Sequence, residues 1–228
     1  MANLVKMMSM WEAYYDKKLA KYQKEPVNKE TVDKIEKYIT TEANARSVLA
    51  FASQMQLCKI NSSKEPEKAK HVETLFKNLN KHMIKTSIEH GEFFLLAEYA
   101  AKVKSADKDA ILNALIKAKT YYGLENYAIA VKDADMKKVT DGVIALDNPK
   151  SLVLFARYAP RNKLDLNRIT DALIKSGDAK YIKDYFDKGL DTNNYKKLSE
   201  ALTKLGVEIN TDEEGVTTEL SRFSSSNK

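Results

Sequence analysis

The 228-residue sequence has little of the chemistry from which metal or redox sites are built. It contains one cysteine, Cys58, and three histidines, His71, His82 and His90. A single cysteine excludes an internal disulfide framework and suits a reducing compartment. None of the histidines belongs to an HExxH motif or lies near the cysteine in the sequence, so the usual zinc signatures are missing. We therefore expect no metal site and interpret Cys58 as a small buried hydrophobic residue.

Glycine and proline are also scarce. Seven glycines and four prolines are too few for an all-β chain, which needs turn residues about every 8–12 positions. The scattered glycines form no phosphate-binding loop of the GxGxxG or GxxxxGK[ST] type, and no serine lies in a GxSxG elbow. These absences lead us to expect no cofactor and no enzymatic activity.

Long apolar segments are missing as well. No run approaches the roughly 18 apolar residues that a membrane-spanning helix requires. The first residues, MANLVKMMSMWEAYYDKK, lack the continuous apolar segment of a signal peptide. We expect a cytoplasmic protein without a membrane partner.

Arginine contributes little of the positive charge. The net charge is +6 and the sequence pI about 9.0, but only five of the 38 basic residues are arginine. Arginine is the residue favoured for bidentate recognition of phosphates and bases. Two interpretations stay open: selection for nucleic-acid binding, or the lysine-rich composition that accompanies an AT-rich genome.

What the chain does contain is an internal repeat. Between Leu164 and Lys188 lies the segment ITDALIKSGDAKYI, in which a Gly-Asp turn separates two helical patterns. It matches segments that begin at Ile111, Val139 and Leu198, with spacings of 28 to 30 residues. Repetition at this period is typical of a solenoid, whose units bury their apolar faces against their neighbours. We predict an all-α fold, a right-handed α-solenoid of about six stacked antiparallel helix pairs.

The predicted organisation has four consecutive parts. These are N-terminal capping helices and a first repeat (1–58), an exposed loop (59–70), tandem helical-pair repeats (71–210) and a flexible tail (211–228). The loop, KINSSKEPEKAK, is the candidate subdomain boundary and runs into a helix near Pro66. Residues 9–24 place Trp11, Tyr14, Tyr15 and Leu19 on one helical face, which is typical of a solenoid cap; an aromatic binding patch is the alternative.

Short turns separate the predicted helices of the repeats. Their expected bounds are Glu92–Lys104, Lys108–Lys119, Leu124–Lys132, Met136–Leu146, Pro149–Tyr158, Leu166–Ser176, Ala179–Lys188 and Tyr195–Leu205. Asn148 and Asp178 are predicted to cap helices, while Gly177 supplies a left-handed turn. A large residue followed by alanine recurs in the first helix of each pair, as in Tyr127-Ala128, and predicts close packing.

The segment DALIKSGDAKYIKDYF, with FARYAP one unit earlier, resembles the short helical-pair repeats of proteins from low-GC bacteria and their phages. More broadly it is similar to HEAT-like α-solenoids. The resemblance implies a curved helical scaffold that binds other macromolecules, and it implies no particular chemistry.

One charge pattern recurs in the second helices. Aligning them places Lys138, Arg168 and Lys197 in one column. The column three residues later holds the acids Asp141, Asp171 and Glu200, and Lys175 and Lys204 follow the last two acids by four residues. We expect pairs within each helix, which stacking would arrange as rows of alternating charge along one solvent-facing ridge. Two interpretations stay open: a solvated helix face, or a partner-binding surface on the concave side.

We therefore expect a non-catalytic macromolecule-binding scaffold. Alternating charge suits a protein partner of mixed charge better than a phosphate backbone, which favours an unbroken basic strip. The alternative is a helical repeat that binds nucleic acid or a nucleoprotein, such as a phage-encoded inhibitor of a host complex.

Overall fold

The computed structural model describes residues 28–42, 45–46, 48–53 and 66–209. Within these ranges every regular element is a helix and no strand occurs, so the predicted all-α class is confirmed. The α-helices are α1 (Lys29–Glu42), α2 (Pro66–His90), α3 (Phe93–Lys102), α4 (Lys108–Lys117), α5 (Tyr121–Ala130), α6 (Met136–Ile144), α7 (Pro149–Tyr158), α8 (Leu166–Ser176), α9 (Ala179–Asp187) and α10 (Tyr195–Lys204). Residues 45–46 and 48–53 are also helical, and 3-10 turns form at Arg161–Lys163 and Thr192–Asn194.

Several predictions made from the sequence lie outside the described residues. They concern the segment 9–24, Cys58, residues 59–65 of the predicted loop and the tail 211–228. The last five residues of the predicted loop, 66–70, belong to α2, which begins at Pro66. No helix in the described part of the chain is long and apolar enough to cross a membrane.

Helix starts follow one rule from α4 to α9. Each of these helices is preceded by a residue whose side-chain oxygen accepts a hydrogen bond from a backbone N–H in the first turn. The capping residues are Asp107, Thr120, Asp135, Asn148, Asp165 and Asp178. Such caps contribute about 1 kcal/mol each and fix where a helix begins. The predicted caps at Asn148 and Asp178 are confirmed. Gly177 has φ +67°, the predicted left-handed turn.

The chain divides into two compact units, Met1–Ala134 and Asp135–Lys228. This division after Ala134 was not predicted. In the first unit, α2 packs against α1, α3 and α4, and α3 and α5 pack against each other and against α4. Asn80 on α2 joins these elements. Its Oδ1 accepts hydrogen bonds from the Tyr99 hydroxyl (2.9 Å) and the Asp107 N–H (3.2 Å), and its Nδ2 donates to the Ser105 carbonyl (2.9 Å).

The second unit has two layers of helices. One layer contains α7 and α9, which pack against each other, and the other contains α6, α8 and α10, in which α8 contacts both neighbours. Between the layers, α8 packs against α7 and α9. This alternation of layers is what a tandem helix pair produces, since each new helix packs on the one two positions earlier.

The recurrent large residue followed by alanine lies in the core, as predicted. All the members of this pattern are buried: Phe51-Ala52, Leu96-Ala97, Tyr127-Ala128 and Phe155-Ala156. The buried tyrosines in and next to this pattern have hydrogen-bond partners for their hydroxyl groups. Tyr127, for example, donates to the Lys108 carbonyl at 3.1 Å. Burial without such a partner would cost about 1–3 kcal/mol.

A buried polar cluster closes the loop between α9 and α10. Asp191 is only 2% exposed, and its carboxylate accepts hydrogen bonds from Thr170 Oγ1 and Asn194 Nδ2, both at 2.7 Å. Tyr185 lies beside Thr170, and burial raises the pKa of its hydroxyl to about 12. The hydroxyl therefore stays protonated, and the cluster belongs to the packing of the unit.

Candidate functional site

The eight charged residues predicted as a binding surface all lie in the second unit, on α6, α8 and α10. We call this set the charged ridge: Lys138, Asp141, Arg168, Asp171, Lys175, Lys197, Glu200 and Lys204. Each is exposed or half-exposed, whereas the next residues of the same helices, such as Val139, Ile169 and Leu198, are buried. Because α8 packs against both α6 and α10, the predicted columns come together on one surface.

The ion pairs of the charged ridge run between helices, which corrects the prediction of pairs within each helix. Arg168 Nη2 on α8 binds Asp141 Oδ1 on α6, and Lys197 Nζ on α10 binds Asp171 Oδ1 on α8. Each acid is therefore held by the base of the following helix.

The expected pairs of Asp171 with Lys175 and of Glu200 with Lys204 do not form in the part of the chain that the structure describes. Helix axes about 8–10 Å apart bring the neighbouring helix within reach of an arginine or lysine, which explains the difference. A within-helix contact does occur at the first acid, where Lys137 Nζ lies 3.5 Å from Asp141 Oδ2.

The environment of Asp141 favours its ionised form. Partial burial raises its pKa, but the hydrogen bond and charge of Arg168 outweigh that effect, and Lys137 adds to them. The pKa of Asp141 is therefore lowered from its ordinary value. The Arg168 and Asp141 side chains are 37% and 39% exposed, so this ion pair contributes no more than about 1 kcal/mol to stability.

Replacing Arg168 with glutamine should raise the pKa of Asp141, because the largest stabilising charge is removed. In the parent, the ion pair stabilises the fold above the pKa of an unfolded aspartate, and that contribution is lost as the pH falls through the lowered folded value. A carboxyl titration followed by NMR measures the change. Lys175→Gln on the same helix is the matched control and should leave the pKa of Asp141 unchanged; equal shifts in both variants would contradict the assignment.

The charged ridge carries more cations than acids. Together with the flanking residues of the same helix faces, it holds seven cations and three acids. The cations are Lys137, Lys138, Arg168, Lys175, Lys196, Lys197 and Lys204, and the acids are Asp141, Asp171 and Glu200. Two of the acids are already bound by neighbouring helices, while Lys175, Lys196 and Lys204 have no ion-pair partner among the described residues. The surface therefore presents surplus positive charge rather than an even alternation.

Two other exposed surfaces were not predicted. On α3 and α5 of the first unit, Phe94, Tyr122 and Ile129 are 62%, 70% and 53% exposed. Phe94 and Tyr122 are the second residues of α3 and α5, two helices that pack together. Exposed apolar residues grouped in this way are typical of interaction sites.

The second unpredicted surface is basic and lies on α7 and α9 of the second unit. Lys150, Arg157 and Lys180 are exposed there, beside Tyr158 and Tyr181. Lys150 and Lys180 also share a repeat position. This surface belongs to the other layer of helices from the charged ridge.

The described residues contain no arrangement typical of metal binding. No group of three or more His, Cys, Asp or Glu side chains within them could hold a metal ion. Of the histidines, His82 shares a hydrogen bond with Thr86 on its own helix at 3.2 Å.

An open depression of about 480 Å³ lies between the loops that precede α8 and α10. Both of its carboxylates are engaged within the protein. Asp165 caps α8, and Asp191 belongs to the buried cluster with Thr170. The depression therefore offers no uncommitted carboxylate to a ligand.

Comparison of the chain with protein-family models, with curated proteins and with solved structures found no significant match.

Proposed function

We propose that this chain is a non-catalytic scaffold that binds a protein partner through the charged ridge. We further propose that its helices form a right-handed, HEAT-like α-solenoid of about six antiparallel pairs, of the kind found in low-GC bacteria and their phages, and that it acts in the cytoplasm. The repeated packing of each helix on the one two positions earlier, within each unit, supports the solenoid class.

The observation that carries the binding proposal is that two acids of the charged ridge already form ion pairs within the protein. Asp141 and Asp171 are held by Arg168 and Lys197 of the neighbouring helices. Their charge is thus used inside the protein, while Lys175, Lys196 and Lys204 are exposed and have no ion-pair partner among the described residues. A surface with surplus positive charge attracts a partner of opposite sign and speeds its association. The partner that fits is a protein with an acidic surface, which refines the expectation of a partner of mixed charge.

The same surplus favours a second candidate, a nucleic acid or nucleoprotein. Seven cations against three acids on one surface can neutralise phosphates. However, six of the seven cations are lysines, which lack the planar fork that arginine offers to a phosphate. The ion pairs also place carboxylates among the cations, which interrupts the basic strip that a phosphate backbone prefers.

A pull-down with the full chain, from a lysate of the organism that encodes it, tests the proposal when run with and without nuclease. We expect a protein that stays bound after nuclease treatment and is released as the salt concentration rises. The captured protein is then purified, and its affinity is measured against salt. Neutralisation of phosphates gives a steep log-linear fall in affinity, whereas a protein contact gives a shallower one. Loss of all captured protein after nuclease treatment would favour the second candidate.

A further inference from the structure

We propose that the outer face of α7 and α9 is a binding site for single-stranded nucleic acid, distinct from the charged ridge. The site consists of Lys150, Arg157 and Lys180 with the rings of Tyr158 and Tyr181. It lies on the other layer of helices in the second unit, so it neither uses nor requires any residue of the ridge.

The first observation is the absence of acidic residues along α7. From Pro149 to Leu164 the sequence has four basic residues and no acid. One of the four, Arg161, is used within the fold, where its Nη2 donates to the carbonyls of Gly189 (3.2 Å) and Leu190 (3.1 Å). On the exposed face of the helix this leaves Lys150 and Arg157 without any nearby carboxylate of α7 itself.

The second observation concerns α9, which packs beside α7. Its two acids, Asp184 and Asp187, line one depression with Lys180 and Tyr181. Each acid is paired with a lysine, because Lys183 binds Asp187 and Lys188 binds Asp184, each at 2.6 Å. Lys180 takes part in neither ion pair, and it lies at the repeat position equivalent to Lys150. Within the described residues, neither of these two lysines has an ion-pair partner, so their charge is available to a ligand.

The spacing of the three cations suits a phosphate backbone. Lys150 and Arg157 are seven residues apart on one helix, or about 10 Å along its axis. Lys150 and Lys180 lie on neighbouring helices, whose axes are typically about 8–10 Å apart. Each separation is close to three nucleotides of a stacked strand, at about 3.4 Å per nucleotide.

The aromatic rings select for unpaired bases. The Arg157 guanidinium lies 5.2 Å from the centre of the Tyr158 ring, and Lys180 Nζ lies 5.4 Å from that of Tyr181. Tyr158 is 52% exposed, so part of its ring is free. An exposed aromatic ring next to a cation lets a base stack while its phosphate is neutralised, and bases are accessible for stacking in a single strand. An acidic protein would use the cations but would gain nothing specific from the ring.

The test measures binding of a fluorescein-labelled oligothymidine of about 20 nucleotides to the full chain by fluorescence anisotropy. The variant Lys150→Gln/Arg157→Gln/Lys180→Gln should lose most of the affinity. It should also lower the slope of log affinity against log salt by about 2, since each single-strand phosphate contact contributes about 0.7. The matched control is Lys175→Gln/Lys196→Gln/Lys204→Gln. It removes the same charge from unpaired lysines of the other layer and should keep the parent slope.

The stacking part of the proposal has its own variants. Tyr158→Ala should weaken binding by about tenfold, while Tyr158→Phe, which keeps the ring, should bind as the parent does. Polyglutamate is included as a competitor and should displace the oligonucleotide poorly. The proposal is overturned by no binding to the parent, by equal losses in the two lysine variants, by full affinity of Tyr158→Ala, or by polyglutamate competing as well as unlabelled oligothymidine.

Discussion

Replacing Phe155 with alanine is expected to lower the free energy of unfolding by about 3–5 kcal/mol. Phe155 is fully buried on α7, which packs against α6, α8 and α9. Removing its ring leaves a cavity that three helices would have to close together, so little of the lost contact is recovered. The side chain has no polar atom, so the loss measures packing alone. Urea unfolding followed by far-ultraviolet circular dichroism measures it.

The matched control for this prediction is Tyr158→Ala on the same helix. Tyr158 is similar in size but 52% exposed, so its loss should change stability by no more than about 0.5 kcal/mol. The same variant serves in the oligonucleotide experiment, where an unchanged stability shows that any loss of affinity is local. Equal destabilisation by the two variants would contradict the packing described for α7.

The all-α class and the bounds of several helices were predictable because the local signals agree. Asn148 caps a helix that has Pro149 at its first position, and the predicted α7 and α8 match the observed bounds. The apolar spacing of these helices identified the buried side, which in turn identified the exposed side on which the charged ridge lies. The placement of the ridge on α6, α8 and α10 followed from the repeat register, because equivalent positions of stacked units share one surface.

The partners of the charged residues were not predictable in the same way. Asp171 has a lysine four residues later on its own helix, yet it pairs with Lys197 on the next one. Sequence spacing describes neighbours within a helix and carries no information on which helix packs alongside or how closely. The apolar cluster around Phe94 was missed for a related reason: an apolar residue in a helical pattern is usually assigned to the core. The division after Ala134 has no signal in the local composition.

Reversing the three cations of one ridge column to glutamate should reduce the affinity for the protein partner by at least about 100-fold. The variant is Lys138→Glu/Arg168→Glu/Lys197→Glu. Like charges brought together at an interface cost several kcal/mol, and about 1.4 kcal/mol corresponds to a factor of ten. Stability should fall far less. The variant loses two exposed ion pairs, and at each of them a new glutamate faces an aspartate. The resulting loss of stability is about 1 kcal/mol or less per pair. Binding is measured with the captured partner, and stability by urea unfolding.

A second variant separates the pattern of charge from its amount. Adding Asp141→Lys, Asp171→Lys and Glu200→Lys to the first three changes restores the net charge of the parent. It also re-forms the pairs between α6 and α8 and between α8 and α10 with their signs exchanged. Stability should return, while affinity for a partner that recognises the arrangement of charges should stay low. If affinity also returned, the partner would be a polyanion attracted by net charge alone. If the first variant bound the partner as the parent does, the charged ridge would be a solvated surface and the proposed function would be wrong.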